Sequence, residues 1–303
     1  MTKVDLSAII LTYNEELHIR RCLEKICGLV KDVFIIDCFS KDKTCEIAKE
    51  FDNVQILEHE WPGNQAAQFN WALNSLKIST EWIIRLDADE YLLPETIEEI
   101  MLKLPSLEEK YTGIVLKRRH IFMNKWMKKG TYPVKLMRIF RYGKAVCEQR
   151  LMDEHIQLLE GECIEFDNDF CDHNINNLSY FCHKHVDYAI REAIELLNIE
   201  LDITGSSIEE QQKKLSEQAM VKRKKKYKYA KLPLFLRAFM YFFMRYFLKL
   251  GFTEGKIGFL WHFIQGWWYR TLVDAKVFEI KQHCGTDKEK IKKYIKDNYN
   301  ISL

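Results

Sequence analysis

The chain has 303 residues, 47% hydrophobic and 30% charged, the composition of a folded protein with room for one large domain plus an appendage rather than of a disordered chain. Forty-six basic residues against 44 acidic ones leave a net charge of +2, which argues against a protein that binds nucleic acid with its whole surface. The nine cysteines are scattered without a C-x-x-C pair, and Met1-Thr2-Lys3 runs straight into a strand-like segment. Free thiols in a reducing cytosol are therefore expected, with no cysteine zinc site and no signal peptide.

Leu6-Ser7-Ala8-Ile9-Ile10-Leu11 is a short apolar run of the kind that forms a buried parallel strand. Asn14-Glu15-Glu16 can open a helix whose apolar positions Leu17, Ile19, Leu23 and Ile26 recur at helical spacing. Val33 to Ile36 reads as a second strand ending at Asp37, and Ser40 and Asp42 can cap a helix through Ile47 and Ala48. A third strand is expected over Val54–Leu57, a third helix over Gln65–Leu76 and a fourth strand over Trp82–Leu86, before Pro94-Glu95-Thr96 opens another helix. Strands alternating with helices in this way imply a mostly parallel sheet with right-handed crossovers. Short strand-like runs follow (Gly113–Leu116, Leu136–Phe140), then a helical stretch over 176–220 with a break near Thr204-Gly205-Ser206-Ser207.

A parallel sheet binds its ligand beyond the carboxyl ends of its strands. Those ends carry Thr12-Tyr13-Asn14, Asp37, Glu58-His59 and Asp87-Ala88-Asp89, so polar groups gather on one edge. No G-x-G-x-x-G and no G-x-x-x-x-G-K-[ST] occurs, which removes the backbone cradles for dinucleotides and for Walker-type phosphates. An Asp-x-Asp without a glycine loop suggests instead that Mg²⁺ or Mn²⁺ neutralises a diphosphate, through one or two carboxylates plus phosphate oxygens. Alternation in an extended segment would place Asp87 and Asp89 on one side with Ala88 pointing away. An isolated Asp-x-Asp is most often a turn or a cap; the neighbouring strand ends are what favour chemistry here.

Taken in order, "AIILTYNEELHIRRCL", "VFIIDCFSKDKTCEIA", "WPGNQAAQFNWAL" and "EWIIRLDADEYL" resemble the family 2 glycosyltransferases, inverting, nucleotide-sugar-dependent enzymes with a GT-A fold. The last two stretches look like the branch that includes lipopolysaccharide-core glucosyltransferases. The resemblance is strong over residues 4–95 and looser to about 190. It implies that Thr12, Tyr13 and Glu15 line a nucleotide pocket and that Asp37 accepts a hydrogen bond from uracil or ribose. Cys38 stands where the family often has a second acid. Gln65, Gln68 and Asn70 fall near the nucleotide sugar in relatives, although a polar helix face explains them equally. Asp87 is implied at the ribose or metal and Asp89 at the metal on the diphosphate. In "RLMDEHIQL", Glu154 falls at the position of the catalytic base, with Asp153 as its competitor; neighbours on a strand would face opposite ways. His173 in "CDHN" matches a histidine that some relatives supply to metal or diphosphate. Arg138 and Arg141 can clamp phosphate or acceptor by bidentate hydrogen bonds, or lie on a solvated strand edge.

From Lys222 to Arg270 basic residues far outnumber the acids, and "LPLFLRAFMYFFMRYFLKL" over 232–250 is interrupted by Arg237, Arg245 and Lys249. A spanning helix needs about 20 predominantly apolar residues. Arg237 and Arg245, eight apart, fall near one helix face and leave the phenylalanines elsewhere, so an amphipathic helix lying in lipid headgroups is expected. The upstream "KRKKKYKYAK" would add about 1 kcal/mol per basic residue at an anionic leaflet. A homo-oligomer interface is the alternative and is compatible with the first; no module for nucleic acid surrounds the tract.

The expectation is therefore a GT-A, Rossmann-like α/β domain over 1–220 and a helical, basic and aromatic extension over 221–303. The expected enzyme is a hexosyltransferase, peripheral on the cytoplasmic face of the inner membrane. It would use a UDP-linked donor and Mg²⁺ or Mn²⁺ to glycosylate a lipid-linked or envelope saccharide. A sugar-nucleotide nucleotidyltransferase would need a glycine-rich basic loop after strand one, which "LTYNEELHIRR" lacks. A non-catalytic membrane-bound scaffold of the same fold would bind neither nucleotide nor metal.

Overall fold

The computed structural model describes residues 3–150, 152, 154–204 and 217–303, which pack as two compact units. The first holds the described residues up to 128 together with 132–175; the second holds 129–131, 176–204 and 217–303.

The first unit opens with β1 (Val4–Thr12), α1 (Ile19–Ile26), β2 (Val30–Asp37), α2 (Thr44–Ala48), β3 (Val54–Glu58), α3 (Gln65–Ser75) and β4 (Trp82–Asp87). After these come β5 (Glu90–Leu92), α4 (Pro94–Lys103), β6 (Tyr111–Phe122), β7 (Lys125–Trp126), β8 (Val134–Arg141), β9 (Ala145–Cys147), β10 (Ile156–Leu158) and β11 (Glu162–Asp172). Among the described residues a nine-stranded mixed sheet runs β3-β2-β1-β4-β8-β6-β11-β5, with β7 paired to β6. The four strands expected from the apolar runs are its parallel half. Their register aligns Thr12 with Asp37, Asp37 with Glu58 and Leu11 with Asp87, so the polar strand ends do share one edge.

Strand alternation splits the core between the two faces of the sheet. Ala8, Ile10, Ile84 and Leu86 pack with Ile19 and Leu23 of α1 and Ile100 of α4, whereas Ile9, Ile36 and Ile83 pack with Ala66 and Phe69 of α3. Fully burying such side chains is worth about 1.5–3 kcal/mol each, so the edge residues stand on a rigid platform.

Two local expectations are corrected. Helix α1 begins at Ile19, not at Asn14, because the backbone N–H groups of residues 14–16 are taken by the loop after β2. They donate to Ser40 Oγ (2.8 Å), Thr44 Oγ1 (2.7 Å) and Asp42 Oδ2 (3.0 Å). Ser40 does not cap α2 but folds back on Asp37, while Asp42 accepts from Thr44 at the helix start.

The second unit is helical: α5 (Leu178–Leu201), α6 (Glu217–Ala230), α7 (Leu236–Phe243), α8 (Gly255–Trp261), α9 (Tyr269–Cys284) and α10 (Lys288–Tyr299). Asn177 caps α5 by accepting from Tyr180 N, and α5 packs along α9. The break expected near 204–207 falls largely outside the described residues; α5 itself ends where Asp202 turns left-handed. Helix α7 continues into a π-helical turn, Met244–Leu248, and a second π turn, His262–Trp268, joins α8 to α9.

Here the sequence expectation is inverted. Arg237 and Arg245 face inward and are almost completely buried. Arg237 pairs with Asp274 (2.6 Å) and donates to the Ala230 carbonyl (2.9 Å), and Arg245 donates to Gln265 Oε1 (2.8 Å). The partners waiting inside decide which face is covered; Phe242 is buried with the arginines, and Phe239, Phe243 and Phe247 are left outside.

Candidate active site

The site is built from the strand ends upward. Asp37 is fully buried and accepts from Thr12 Oγ1 (2.7 Å), Ser40 N (2.7 Å) and Ser40 Oγ (2.6 Å), so it ties the loops after β1 and β2 together. Tyr13 beside it is 56% exposed. Two further exposed aromatics, Phe39 and Trp61, follow β2 and β3; the sequence reading gave them no role, and their signal was only their place just past a strand end.

Glu15 turns away from the edge. Its carboxylate accepts from His18 Nδ1 (2.7 Å), and His18 Nε2 accepts from Ile175 N (3.0 Å), which fixes the neutral tautomer of this buried ring. Gln68 is fully buried, with Oε1 on His59 Nδ1 (2.6 Å) and Nε2 on Cys38 Sγ (3.2 Å). Asn70 grips the backbone of Cys147 through both its amide atoms (2.7 and 2.8 Å). Gln65 alone of the three is exposed, 3.5 Å from Arg85 Nη2.

At the end of β4 lies a row of alternating carboxyl and guanidinium groups. Arg85, buried within the strand, pairs with Glu154 Oε1 (3.1 Å) and approaches Asp87 Oδ1 (3.9 Å). Arg138 approaches Asp87 Oδ2 (3.6 Å) and pairs closely with Glu90. The row reads Glu154–Arg85–Asp87–Arg138–Glu90, and each guanidinium compensates carboxylates that burial would otherwise penalise. Burial pushes the Glu90 carboxyl up to about 8 against the pull of Arg138, with Asp87 and Asp172 adding to the rise. Arg85 stands two residues before the Asp-x-Asp, where the apolar run around it marks it only as part of the strand.

The expected alternation of Asp87 and Asp89 does not occur. Strand β4 ends at Asp87, Ala88 and Asp89 form a turn, and Glu90 begins β5. Asp87 therefore sits between two arginines, whereas Asp89 Oδ2 accepts from the Asn174 amide (3.0 Å) and its carbonyl from His173 N (3.0 Å). His173 is held on both ring nitrogens: Arg21 donates to Nδ1 (3.1 Å), so Nε2 carries the proton and donates to Asn124 Oδ1 (3.1 Å). Burial first, and Arg21 second, push this imidazole down to about 4. To ligate a metal it would have to release one of these partners.

Glu154 lies in the loop that joins β9 to β10, not on a strand, so strand alternation does not separate it from Asp153; Asp153 itself lies outside the described residues. The loop is anchored by Asn70 on Cys147 and closed by Glu148 N on His155 O (2.9 Å). Arg141 is at the far end of β4, opposite Trp82, with Nε on the Tyr111 carbonyl (2.9 Å), and so is excluded from the strand-end edge. All nine cysteines are free thiols.

Residues 7–156 match the profile of Glycosyl transferase family 2. The first unit thus carries a domain of that family, with a GT-A-like fold. Among its relatives is the SPbeta prophage-derived glycosyltransferase SunS of Bacillus subtilis, 31% identical over 119 residues, which are 34% of this chain and 27% of that protein. The chain thus spans about a quarter of the length of that relative. An uncharacterized glycosyltransferase of Rickettsia typhi is 26% identical over 261 residues, covering 84% of this chain and 80% of the other. Among solved structures, residues 1–349 of TarS from S. aureus align over 99% of this chain and 91% of that one, with 16% identity and a TM-score of 0.42.

Proposed function

We propose that the chain is an inverting glycosyltransferase that moves a hexose from a UDP-linked donor to a lipid-linked or cell-envelope saccharide. The observation that carries this reading is the place of Arg85, whose one buried guanidinium pairs with Glu154 (3.1 Å) and approaches Asp87 (3.9 Å). A base for the acceptor and a carboxylate for the donor are thereby fixed relative to one another on the strand-end edge. Direct displacement at the anomeric carbon needs that pairing: Glu154 takes the acceptor proton as the new C–O bond forms, and the nucleoside diphosphate departs on the other side.

Thr12, Tyr13 and Asp37 stand where a nucleoside would lie on this edge, with the exposed rings of Tyr13, Phe39 and Trp61 available for stacking. Among the described residues no three metal-ligating side chains converge. Asp87 and Asp89 point at different groups, so an oxygen site for Mg²⁺ or Mn²⁺ would draw on the Asp89 carboxylate, with phosphate oxygens among its remaining ligands. Asp89 would hold that ion, which when bound supplies positive charge to the leaving diphosphate, while Asp87 stays between Arg85 and Arg138. A nucleotidyltransferase reading is disfavoured because the N–H groups of residues 14–16, which would cradle phosphates, are spent on Ser40, Thr44 and Asp42.

The resemblance of the third and fourth motifs to lipopolysaccharide-core enzymes supports an envelope acceptor. The exposed apolar helices of the second unit support work at the cytoplasmic face of the inner membrane. No helix among the described residues is long and apolar enough to cross it. The test is a screen of UDP-glucose, UDP-galactose, UDP-N-acetylhexosamines and GDP-mannose for hydrolysis and thermal stabilisation, with and without Mn²⁺. One UDP-sugar should stand out and depend on Mn²⁺. Absence of any nucleotide or metal binding would leave a non-catalytic scaffold instead.

A further inference from the structure

The outer face of the second unit reverses the usual order of a water-soluble helix. On α7 and the π turn after it, Phe239, Met240, Phe243, Phe247 and Leu248 are 43–69% exposed while Arg237 and Arg245 are buried. Taking ~200 Å² per large side chain, these five alone leave on the order of 500 Å² of apolar surface in water, near the upper end for a monomer. The rings are contiguous: Phe239 touches Phe243 (6.4 Å between centroids) and Trp267 (5.5 Å), Phe243 touches Phe247 (5.0 Å), and Phe247 touches Tyr246 (5.0 Å). Rotation of α7 to hide them is opposed by the Arg237–Asp274 and Arg245–Gln265 contacts, which hold the arginine face inward.

Charge says what covers this face. Over residues 231–278 the acids are Glu254 and Asp274, and both are buried; Lys231, Lys249 and Lys256 are exposed. The outside of the segment therefore presents apolar and positive groups and no exposed acid. Beside Lys256 opens a groove of about 520 Å³, walled by Tyr246, Phe252, Phe259 and Leu260, with Tyr246 5.8 Å from Phe259 and 6.4 Å from Phe252. That volume suits a small ligand, and its lining pairs an apolar wall with one ammonium group.

We propose that this face docks on an anionic phospholipid bilayer and that the groove seats one lipid, its phosphate at Lys256 and its chain against Tyr246, Phe252 and Phe259. The proposal deepens the membrane-surface reading above and rests on it, but it does not depend on sugar transfer. Partition of the apolar face supplies attraction to any bilayer, and the lysines supply preference for negative headgroups.

The test is co-sedimentation of the full chain with vesicles of phosphatidylcholine alone or mixed with phosphatidylglycerol, in about 0.1 M and about 0.5 M salt. Anionic vesicles should bind at least ~10-fold more tightly than neutral ones at the lower salt, with part of that preference lost at the higher. Lys249→Gln and Lys256→Gln should each weaken binding about fivefold. Leu248→Asp, at a side chain 69% exposed, should weaken binding further with an unchanged far-ultraviolet spectrum and melting temperature. A short-chain phosphatidylglycerol below its micelle concentration should raise the melting temperature of the native chain and of Lys249→Gln but not of Lys256→Gln. Equal binding to both vesicle types, or a lipid shift that survives Lys256→Gln, would overturn the headgroup site. Failure to bind vesicles, with light scattering showing a dimer that Leu248→Asp dissociates, would make this face a contact with a second copy. Because donor hydrolysis is measured without vesicles, failure of lipid binding leaves the reading of the strand-end edge standing.

Discussion

Glu154→Gln separates chemistry from architecture at the candidate base. Glu154 Oε1 is 3.1 Å from Arg85 Nη2, with side chains 15% and 5% exposed. Glutamine keeps an oxygen at nearly the same place, so the hydrogen bond survives but loses its charge assistance. Charged hydrogen bonds contribute ~1.5–3 kcal/mol and neutral ones ~0.5–1.5, so the fold should lose about 1 kcal/mol, a fall of roughly 2–4 °C in melting temperature. Loss of a general base costs ~10²–10⁴ in rate. The expected pattern is thus a small thermal shift, donor affinity within about threefold by calorimetry, and kcat for acceptor glycosylation lower by at least ~100-fold. A kcat within about threefold of the parent would refute the assignment and move the role to Asp153. A melting temperature falling by more than ~10 °C with donor affinity lost would instead make Glu154 a structural partner of Arg85.

The other predictions concern binding and folding. Asp37→Asn replaces a fully buried acceptor of three hydrogen bonds, which should cost about 2–3 kcal/mol by urea denaturation and weaken donor binding; unchanged stability would show that the loop network is not needed. Arg237→Met strands the Asp274 carboxylate inside the second unit and should cost about 3–5 kcal/mol, much of it regained in Arg237→Met/Asp274→Leu; a melting curve unmoved by the single change contradicts the buried pair. Burial holds His262 down at about 3 and His173 at about 4, both below the ordinary ~6.5, so both fold neutral. Their contribution is complete above pH ~6.5 and is lost as the pH falls toward about 4 for His173 and about 3 for His262. His262→Leu should flatten that acid slope in urea midpoints measured between pH 7 and pH ~4.5, and an identical slope would count against it.

Local pattern made the parallel half of the sheet legible. A strand buried on both faces is apolar along nearly its whole length, and Leu6–Leu11, Val33–Ile36 and Trp82–Leu86 come close to this, with only Ser7 and Arg85 as polar interruptions. Gathering of Thr12, Asp37 and Asp87 on one edge followed from parallel register, which the crossovers impose. The candidate site was legible only in part. Gln68, Asn70 and Glu15 are polar residues at suggestive positions, but their side chains close on His59, Cys147 and His18. Arg141 lies only three residues beyond Arg138, yet it sits at the other end of the neighbouring strand.

The sequence alone determined the order of the first four strands and the helices between them, the polar edge and the positions of its acids, because these depend on burial and spacing along a short stretch of chain. Tertiary structure decided the partners. Arg85 meets Glu154 across 69 residues, and the turn at Ala88-Asp89 points Asp87 and Asp89 at different groups. Arg237 finds Asp274 across 37 residues, which turns the arginine face of α7 inward, together with Phe242, and Phe239 and Phe243 outward. Helical spacing gives the two faces of α7; which one is buried is set by the charges and shapes of the chain that packs against it.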